Sequence, residues 1–324
     1  MVIQNKQNRI LRYLSPNNYG RLVLRLLNKI ILHPLDIITA PPFDTPLKHR
    51  PIFLLGAPRS GSTLIYQAIT DAFDVAYLSN CHCHFHGSPA LTEKFFRPLK
   101  RKKASDYTSY HGRTDGWAAP SECGEWWYRF FRREPPYVTL NDVDKKKMIH
   151  FRRSLLSLTE AASKPVVFKN LYVTLRLEPV TKYIPEALFI IIKRNELDNA
   201  HSILAGRLNT LGNYESWWSV PPQNVDQLKK LTPPQQAVEQ IRAVNNLIKD
   251  SIDQGAIKQH NVLILEYEKF CSDTNDVVNK IENFLTSNEV TMRRRFDIPR
   301  SFSVNHSIHI EKKLYTQLKK LCQK

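Results

Sequence analysis

The sequence predicts an α/β protein with a parallel central sheet and helices on both of its faces. Short apolar runs alternate along the chain with segments of helical spacing, which is typical of a doubly wound sheet. The clearest unit begins with the apolar run 52–55, passes through a glycine-containing loop at 56–63, and continues into a segment with the spacing of one helix face. A strand, a loop and a helix in this order also form a common phosphate-binding unit.

Composition and charge limit the classes of partner. The chain has 324 residues, 42% of them hydrophobic, and its 47 Lys and Arg outnumber 30 Asp and Glu to give a net charge of +17. A field of this sign attracts nucleic acid, anionic lipid or a polyanionic small molecule, although a basic surface can also serve solubility alone. Five cysteines are few and odd in number, so no disulfide framework is implied and a reducing compartment is expected.

Residues 1–50 are predicted to be a basic helical extension in front of a single domain at 51–324. Eight Lys and Arg against two Asp and Glu give the extension a net charge of +6. Its Leu and Ile residues predict a helix that packs on its own core, and a peripheral contact with a membrane is the alternative. There is no signal-peptide pattern and no apolar run of ~20 residues, so a cytoplasmic protein, peripheral to a membrane at most, is expected.

The remaining elements follow from periodicity. Apolar runs predict further strands at 75–78, 166–168, 188–192 and 262–265. Helical spacing predicts helices at 64–73, 175–180, 197–208, 235–254 and 277–285. The first two strands are expected to form a parallel pair, 188–192 to be central, and 262–265 to be buried. The irregular, aromatic and basic stretch around 80–160 is interpreted as an insertion that borders the site and binds the acceptor.

The loop Gly56–Thr63 is spaced like the Walker A pattern GxxxxGK[ST], with Ser62 in the place of the lysine. Without that lysine the loop keeps its backbone N–H groups but loses the cation that serves triphosphate hydrolysis. Arg59 supplies a cation inside the loop, and a guanidinium can hold an oxyanion by two hydrogen bonds. No convincing acidic residue of the Walker B type ends a strand, and the strand 188–192 is followed directly by Lys193, Arg194 and Asn195. A phosphate site that does not perform magnesium-dependent phosphoryl transfer is therefore predicted, with an ordinary strand–helix turn as the alternative.

A second anion site is predicted after the strand 188–192. Arg194 follows its carboxyl end, where open α/β sheets bind ligands. Ser202 lies eight residues further, about two helical turns, so its hydroxyl and the guanidinium could hold one anion.

Together these stretches resemble the sulfotransferases that use 3′-phosphoadenosine-5′-phosphosulfate (PAPS), in particular the Golgi-type and bacterial branches, distantly like tyrosylprotein and carbohydrate sulfotransferases. The resemblance extends to 168–170, to 183–189 and to Leu265–Phe270, which is similar to the family's "YEDL" segment. It implies the P-loop NTPase-like sulfotransferase fold, with PAPS as co-substrate and no metal.

The resemblance also implies roles for single residues. Donor contacts would come from Arg59, Ser60, Gly61, Ser62 and Thr63 at the 5′-phosphosulfate, from Arg194 and Ser202 at the 3′-phosphate, and from Tyr267 near the nucleotide. Lys169 would stabilise charge on the transferring group and the leaving phosphate, as a fixed cation can. A surface lysine at a strand end is the alternative for Lys169. Asn195 departs from the acidic residue that is common after the arginine.

Transfer to a hydroxyl also needs a base. Related enzymes place a glutamate in the region after the second strand, and Ser121–Tyr128 holds two carboxylates beside large aromatic residues. Glu122 is the first candidate and Glu125 the second, although Glu125 could instead pair with Arg129 one helical turn away. His82 is the fallback.

His82 belongs to the run Cys81–His86, in which Cys and His residues alternate with one-residue gaps. Structural zinc sites use wider gaps and ligands from two places, so a lining of the acceptor site is predicted rather than a metal site. In an extended conformation the histidines of this run would share one side.

The predicted function is transfer of a sulfuryl group from PAPS to a hydroxyl of an acceptor such as a carbohydrate, another glycan or a lipid. A kinase-like P-loop enzyme is disfavoured by Ser62. A non-enzymatic, basic nucleic-acid-binding protein would leave both anion motifs unexplained, and no nucleic-acid partner is expected.

Overall fold

The computed structural model describes residues 16–96, 104–108, 114–304 and 307–323. Within them one sheet of five parallel strands has the order β2–β3–β1–β4–β5. The strands are β1 (Ile52–Gly56), β2 (Ala76–Tyr77), β3 (Val166–Lys169), β4 (Leu188–Lys193) and β5 (Val262–Glu266). The predicted parallel α/β sheet is confirmed.

Helices surround this sheet. In chain order they are α1 (Pro16–Leu26), a π-helical segment (Leu27–Leu32), α2 (His33–Thr39), α3 (Ser62–Ala72), α4 (Asn80–His84), α5 (Pro89–Phe96), α6 (Gly124–Trp127), α7 (Lys145–Ala162), α8 (Leu177–Tyr183), α9 (Glu196–Leu211), α10 (Val225–Leu228), α11 (Pro233–Asp253), α12 (Tyr267–Ser272), α13 (Thr274–Ser287) and α14 (Lys312–Cys322). Short 3₁₀ turns lie at Leu140–Asp142, Leu171–Arg176 and Gln259–Asn261. None of the helices in the described ranges combines the length and apolar character needed to cross a membrane.

Alternate side chains of β1 enter two different cores. Phe53 and Leu55 pack on the side covered by α6 and α7, whereas Ile52 and Leu54 pack on the side covered by α3 and α13. Successive residues of a strand point to opposite faces, so a strand that is apolar throughout must be covered on both. This explains why β1 is fully buried.

Aromatic rings tie three strands to α6. The register pairs Phe53 with Phe168 of β3 and with Phe189 of β4. The rings of these neighbours stack on Phe53 with centroids 5.2 and 5.8 Å away, and Trp126 of α6 stacks on Phe168 at 5.6 Å. Stacked rings at such distances stabilise the packing beyond their buried area. The ladder therefore fixes α6, and the residues just before it, over the sheet.

Two strand predictions are wrong in detail. β2 pairs with β3 rather than with β1, because β3 takes the place beside β1 and contributes Phe168 to the aromatic ladder. β5 was expected to be buried but is an edge strand, and the side chain of Ile264 is 47% exposed. Runs of apolar residues do not distinguish a central strand from an edge strand when one face of the edge is left open.

The stretch around 80–160 contains helices and no strand among its described residues. Residues 80–84 form α4 rather than an extended segment, because Ser79 and His82 cap the helix reciprocally. The extended conformation in which the histidines would share one side is therefore not adopted. The 18-residue helix α7 was not predicted, since its first turn is the basic run Lys145–Lys147. That the stretch binds an acceptor stays a prediction.

The N-terminal helix is held to the protein through its polar residues. Asn28 of the π-helical segment donates to the carbonyl of His84 at 2.7 Å and accepts from the Gly87 N–H at 2.6 Å. Asp36 of α2 is buried and receives the Arg129 guanidinium at 2.7 Å and His150 at 3.0 Å. Residues 1–15 of the predicted extension lie outside the described residues, and its boundary at residue 50 stays a prediction.

We expect Asp36→Asn to lower the free energy of unfolding by about 3 kcal/mol, because it leaves the buried Arg129 charge without its partner. Although burial acts to raise it, hydrogen bonds from His150 and Arg129 hold the pKa of Asp36 below its ordinary value of 3.8. The advantage of the wild type should thus be complete above pH 3.8 and shrink as the pH falls further. Urea unfolding between pH 7 and pH 2 measures both effects.

The matched control for this pair is Asp44→Asn, since Asp44 is exposed. It should leave the free energy of unfolding within about 0.5 kcal/mol of the wild type. Equal losses in the two variants would contradict the role given to Asp36.

Candidate active site

The predicted site residues meet at the carboxyl edge of the sheet. Lys169 ends β3, Gly56 ends β1, Arg194 follows β4 and Tyr267 follows β5. The register sets Gly56 beside Ile192. Because all these strands are parallel, whatever follows each of them emerges on the same side. The loop after β1, which contains the first anion motif, therefore lies between the segments that follow β3 and β4. The order of the strands reverses at this point.

The loop after β1 has a conformation that requires glycine at one position. Gly61 has φ +86°, and a Cβ there would lie 2.1 Å from the Tyr267 ring. Arg59 also has a positive φ of 64°. Asn199 donates to the carbonyl of Pro58 at 2.6 Å, and Arg194 donates to the carbonyl of Arg59 at 2.9 Å. Two side chains from the β4–α9 region thus hold the strained turn in place.

The loop presents unpaired donors at the start of α3. Gly61 is the N-cap residue and provides no side chain to cap the helix. The N–H groups of Ser62, Thr63 and Leu64 therefore have no partner within the helix, and the positive end of the helix dipole lies with them. Within the described structure, the buried hydroxyl of Ser60 also has no hydrogen-bond partner. This set of donors favours an anion.

Two guanidinium groups converge beside this loop. Arg59 Nε donates to the Ser202 hydroxyl at 3.0 Å, so the predicted serine of the second anion motif contacts the arginine of the first. Burial and the like charge of Arg194 lower the pKa of Arg59 below its ordinary value. Two like charges that lie close together repel each other when no negative group is present. A bound anion relieves this repulsion, so the pair binds an anion more favourably than one isolated cation does.

Tyr267 forms the floor under both motifs. Its ring packs against Gly61 and lies under the Arg194 guanidinium, with 4.8 Å between the guanidinium carbon and the ring centroid. Burial raises the pKa of the Tyr267 hydroxyl to about 12, so the ring is neutral at physiological pH. The neighbouring Glu268 accepts from the Asn195 N–H at 2.9 Å, which links the first turn of α12 to the start of α9.

Lys169 and Glu122 face each other across the site. The ammonium of Lys169 donates to Glu122 Oε1, and the lysine is 4% exposed, whereas about a third of the Glu122 side chain is exposed. Trp127 donates to the backbone carbonyl of Glu122 at 3.2 Å, which ties this segment to the aromatic ladder. Lys169 is thus not the surface lysine considered as the alternative. Glu122 pairs with a cation and keeps a face open to the cavity.

A cavity of about 230 Å³ gathers these groups. Its lining consists of Arg59, Gly61, Ser62, Thr63, Leu64, Glu122, Lys169, Leu171, Arg194, Trp218, Ser219 and Tyr267. Ser60 and Ser202 are next to residues of this lining. Ser60 precedes Gly61 in the loop, and Ser202 accepts a hydrogen bond from Arg59.

The other two candidate bases lie elsewhere. Glu125 is exposed and holds Arg133 through both carboxylate oxygens at 2.7 Å, on a different cavity. The partner considered for Glu125 from the sequence, Arg129, instead binds Asp36. His82 is buried against Ser79 and Glu93 around a small separate cavity. Across the part of the chain that the structure describes, no group of three or more His, Cys, Asp or Glu side chains could hold a metal ion.

Sequence reasoning missed Trp218 and Asn199. Trp218 lines the cavity 5.9 Å from the Arg59 guanidinium and packs on Gly206, where a Cβ would lie 2.4 Å from the indole ring. Trp218 belongs to the proline- and tryptophan-containing loop 217–222, which is conspicuous in the sequence. Nothing in the pattern of that loop indicated that it folds over the cavity. Asn199 is an ordinary helix residue in the sequence, and only the fold brings it to Pro58.

Known proteins resemble this chain in sequence profile and in fold. The sequence profile of a sulfotransferase family matches residues 51–288. The solved sulfotransferase STF9 from Mycobacterium avium is 14% identical, with a TM-score of 0.52 over 95% of this chain and 77% of that one. STF1 from Mycobacterium tuberculosis H37Rv is 16% identical, with a TM-score of 0.48 over 90% and 78%. No curated protein matches the chain. The likeness to STF9 is a likeness of fold.

We expect Gly61→Ala to lower the free energy of unfolding by roughly twice as much as Gly212→Ala, because it adds a clash with Tyr267 to the backbone strain. Gly212 has a φ of +75° with open space around it, so its substitution carries the strain alone, about 1 kcal/mol. Urea unfolding of the two variants makes the comparison. Equal losses would show that the Tyr267 ring moves aside without cost.

Proposed function

The chain belongs to the sulfotransferase family, and we propose that it transfers a sulfuryl group from PAPS to a hydroxyl group of an acceptor such as a glycan or a lipid. One observation carries the proposal. The uncapped start of α3, the two guanidinium groups of Arg59 and Arg194, and the Lys169–Glu122 pair line the same cavity. Anion-binding groups and an acid–base pair therefore face each other across one space.

The residues present fit a donor with two separate anionic ends. The N–H groups at Ser62 and Thr63 and the unpartnered Ser60 hydroxyl suit the 5′-phosphosulfate. Arg194, whose Nε has no hydrogen-bond partner in the described structure, suits the 3′-phosphate together with Ser202. The Arg59 guanidinium lies next to Ser202 and can serve either end.

The aromatic ring of Tyr267 supports the same assignment. It underlies Arg194 at 4.8 Å and lines the cavity. A flat apolar face beside two cations suits a nucleotide, which carries a base as well as phosphates. Trp218, on the other side of Arg59, offers a second ring.

The chemistry assigned to the protein is a proton transfer and the stabilisation of charge. PAPS, when bound, supplies the sulfuryl group on a phosphate leaving group. Glu122 accepts the proton of the acceptor hydroxyl as its oxygen attacks sulfur, a role open to a carboxylate that faces the cavity. The buried ammonium of Lys169 stabilises the negative charge that develops on the leaving phosphate, and its contact with Glu122 holds the carboxylate in position.

Thermal unfolding with added nucleotides tests the donor class. Adenosine 3′,5′-bisphosphate, the product that remains after transfer, should raise the melting temperature, whereas ATP with Mg²⁺ and duplex DNA should not. Stabilisation by ATP–Mg²⁺ alone would overturn the proposal in favour of a kinase-like enzyme. Transfer of labelled sulfate from PAPS to a panel of glycans, lipids and tyrosine peptides then identifies the acceptor.

We expect Arg194→Ala to weaken binding of adenosine 3′,5′-bisphosphate by about 10- to 100-fold, the loss typical of a hydrogen bond to a charged group. Binding of adenosine 5′-phosphate should weaken less, because the group removed serves the 3′-phosphate directly and the 5′ loop only through the Arg59 carbonyl. Calorimetric titration of both nucleotides measures the difference. Lys193→Ala, at the exposed neighbouring position, is the control. An unchanged preference for the bisphosphate would remove this assignment.

We expect Glu122→Gln to lower kcat for sulfuryl transfer by about 10²- to 10⁴-fold, because the amide cannot accept the proton. Affinity for the bisphosphate should stay within a few-fold of the wild type, since the substitution removes no donor-binding group. Glu125→Gln, which loses only an exposed contact with Arg133, should retain activity. If Glu125→Gln is inactive and Glu122→Gln is active, the two roles must be exchanged.

A further inference from the structure

The helical segment 16–39 shows its apolar side chains to solvent. Nine of them are between 38% and 76% exposed: Tyr19, Leu22, Val23, Leu26, Ile30, Ile31, Leu35, Ile37 and Ile38. The first five follow the pattern i, i+3, i+4, i+7 and i+11, so they form a stripe along one side of the helix. Single exposed apolar residues are ordinary on a protein surface, but a row of this length marks an interaction site. We call these nine side chains the outward face.

The opposite side of the segment contains two buried polar residues that fix it to the protein, beside the half-buried Leu24, Leu27 and Leu32. Asn28 and Asp36, eight residues apart, are 3% and 1% exposed. Asn28 bonds to the backbone of His84 and Gly87, and Asp36 receives Arg129. Most of the apolar side chains of the segment thus lie outside, while its two most buried polar residues, Asn28 and Asp36, face the protein. Directional polar bonds hold the helix in one orientation, so the outward face is presented by the fold.

Cations flank the outward face. Arg21, Arg25 and Lys29 are exposed and four residues apart, which places them in one row beside the apolar stripe. The sequence from 16 to 40 contains one acidic residue, Asp36, and its charge is buried against Arg129. The surface of this segment is thus apolar and positive without a compensating negative group.

A cavity lies along the same segment. Its volume is about 660 Å³, and its lining includes Arg21 and Arg25 from α1 as well as Arg133 from the body of the protein. The single carboxylate that lines it, Glu125, is already paired with Arg133. Positive charge therefore continues from the helix to the adjoining surface, where it could reach anionic groups placed beside the helix.

We propose that the outward face lies on the surface of an anionic lipid bilayer. Aliphatic side chains enter the boundary of the acyl chains, and the adjacent Arg and Lys side chains extend to the lipid headgroups. The outward face is a broad apolar side of the segment, as in helices that lie in a membrane interface. An anionic bilayer also pairs with the cations beside this face.

Co-sedimentation of the full chain with vesicles tests this proposal without use of the enzymatic activity. The chain should bind vesicles that contain 30% phosphatidylglycerol in phosphatidylcholine more tightly than vesicles of phosphatidylcholine alone. Binding should weaken between 0.1 and 1 M salt, because the screening length falls from about 10 to 3 Å. Equal binding to both vesicle types, or no binding, would overturn the proposal.

Two sets of substitutions separate the contributions. Ile30→Glu with Ile38→Glu, at the two most exposed isoleucines, should abolish sedimentation with either vesicle, whereas Ile308→Glu, 49% exposed and outside the helix, should not. Replacement of Arg21, Arg25 and Lys29 by Gln should weaken partition onto the anionic vesicles on the order of 100-fold. Melting temperatures near that of the wild type verify that each variant folds.

A second copy of the chain is the competing occupant. Sedimentation velocity without lipid distinguishes it: the wild type should be monomeric, as should the Ile30→Glu, Ile38→Glu variant. A wild-type dimer that this variant dissociates would assign the outward face to self-association and overturn the proposal. Because none of these measurements involves PAPS or an acceptor, the result is independent of the proposed function.

Discussion

The parallel register of the sheet is the constraint on which the candidate site depends. β3, β1, β4 and β5 all run in one direction, so their carboxyl ends bring Lys169, the loop after Gly56, Arg194 and Tyr267 to one edge. The aromatic ladder fixes this register from inside. Phe53 stacks on both of its neighbours, and a slip by one residue would send every ring to the opposite face. The same ladder carries α6 and hence the backbone of Glu122.

Positive charge is concentrated at this edge and is only partly compensated. Burial and the like charge of Arg194 lower the pKa of Arg59, and the buried Lys169 has Glu122 as its ion-pair partner. An arrangement of this kind is unfavourable for the isolated protein and becomes favourable when an anion binds. Apolar packing in the two cores on the faces of the sheet offsets this unfavourable contribution to the free energy of folding.

Polar residues contribute much of the attachment of the N-terminal helical segment. Asn28 and Asp36 provide directional bonds to the body of the protein, and nine apolar side chains remain exposed. Hydrogen bonds to buried charged groups fix an orientation more strictly than apolar contacts, which are not directional.

The sequence by itself determined the five strands in their chain order and the glycine-containing loop after the first of them. Apolar runs predicted β1 and β4, and the glycine spacing with Ser62 in place of lysine predicted a phosphate loop, because these features depend on near neighbours. Only the tertiary structure decided which strand lies beside β1, whether Glu122 or Glu125 faces Lys169, and that Trp218 closes the cavity. Those outcomes depend on contacts between residues far apart in the chain, and local periodicity contains no information about them.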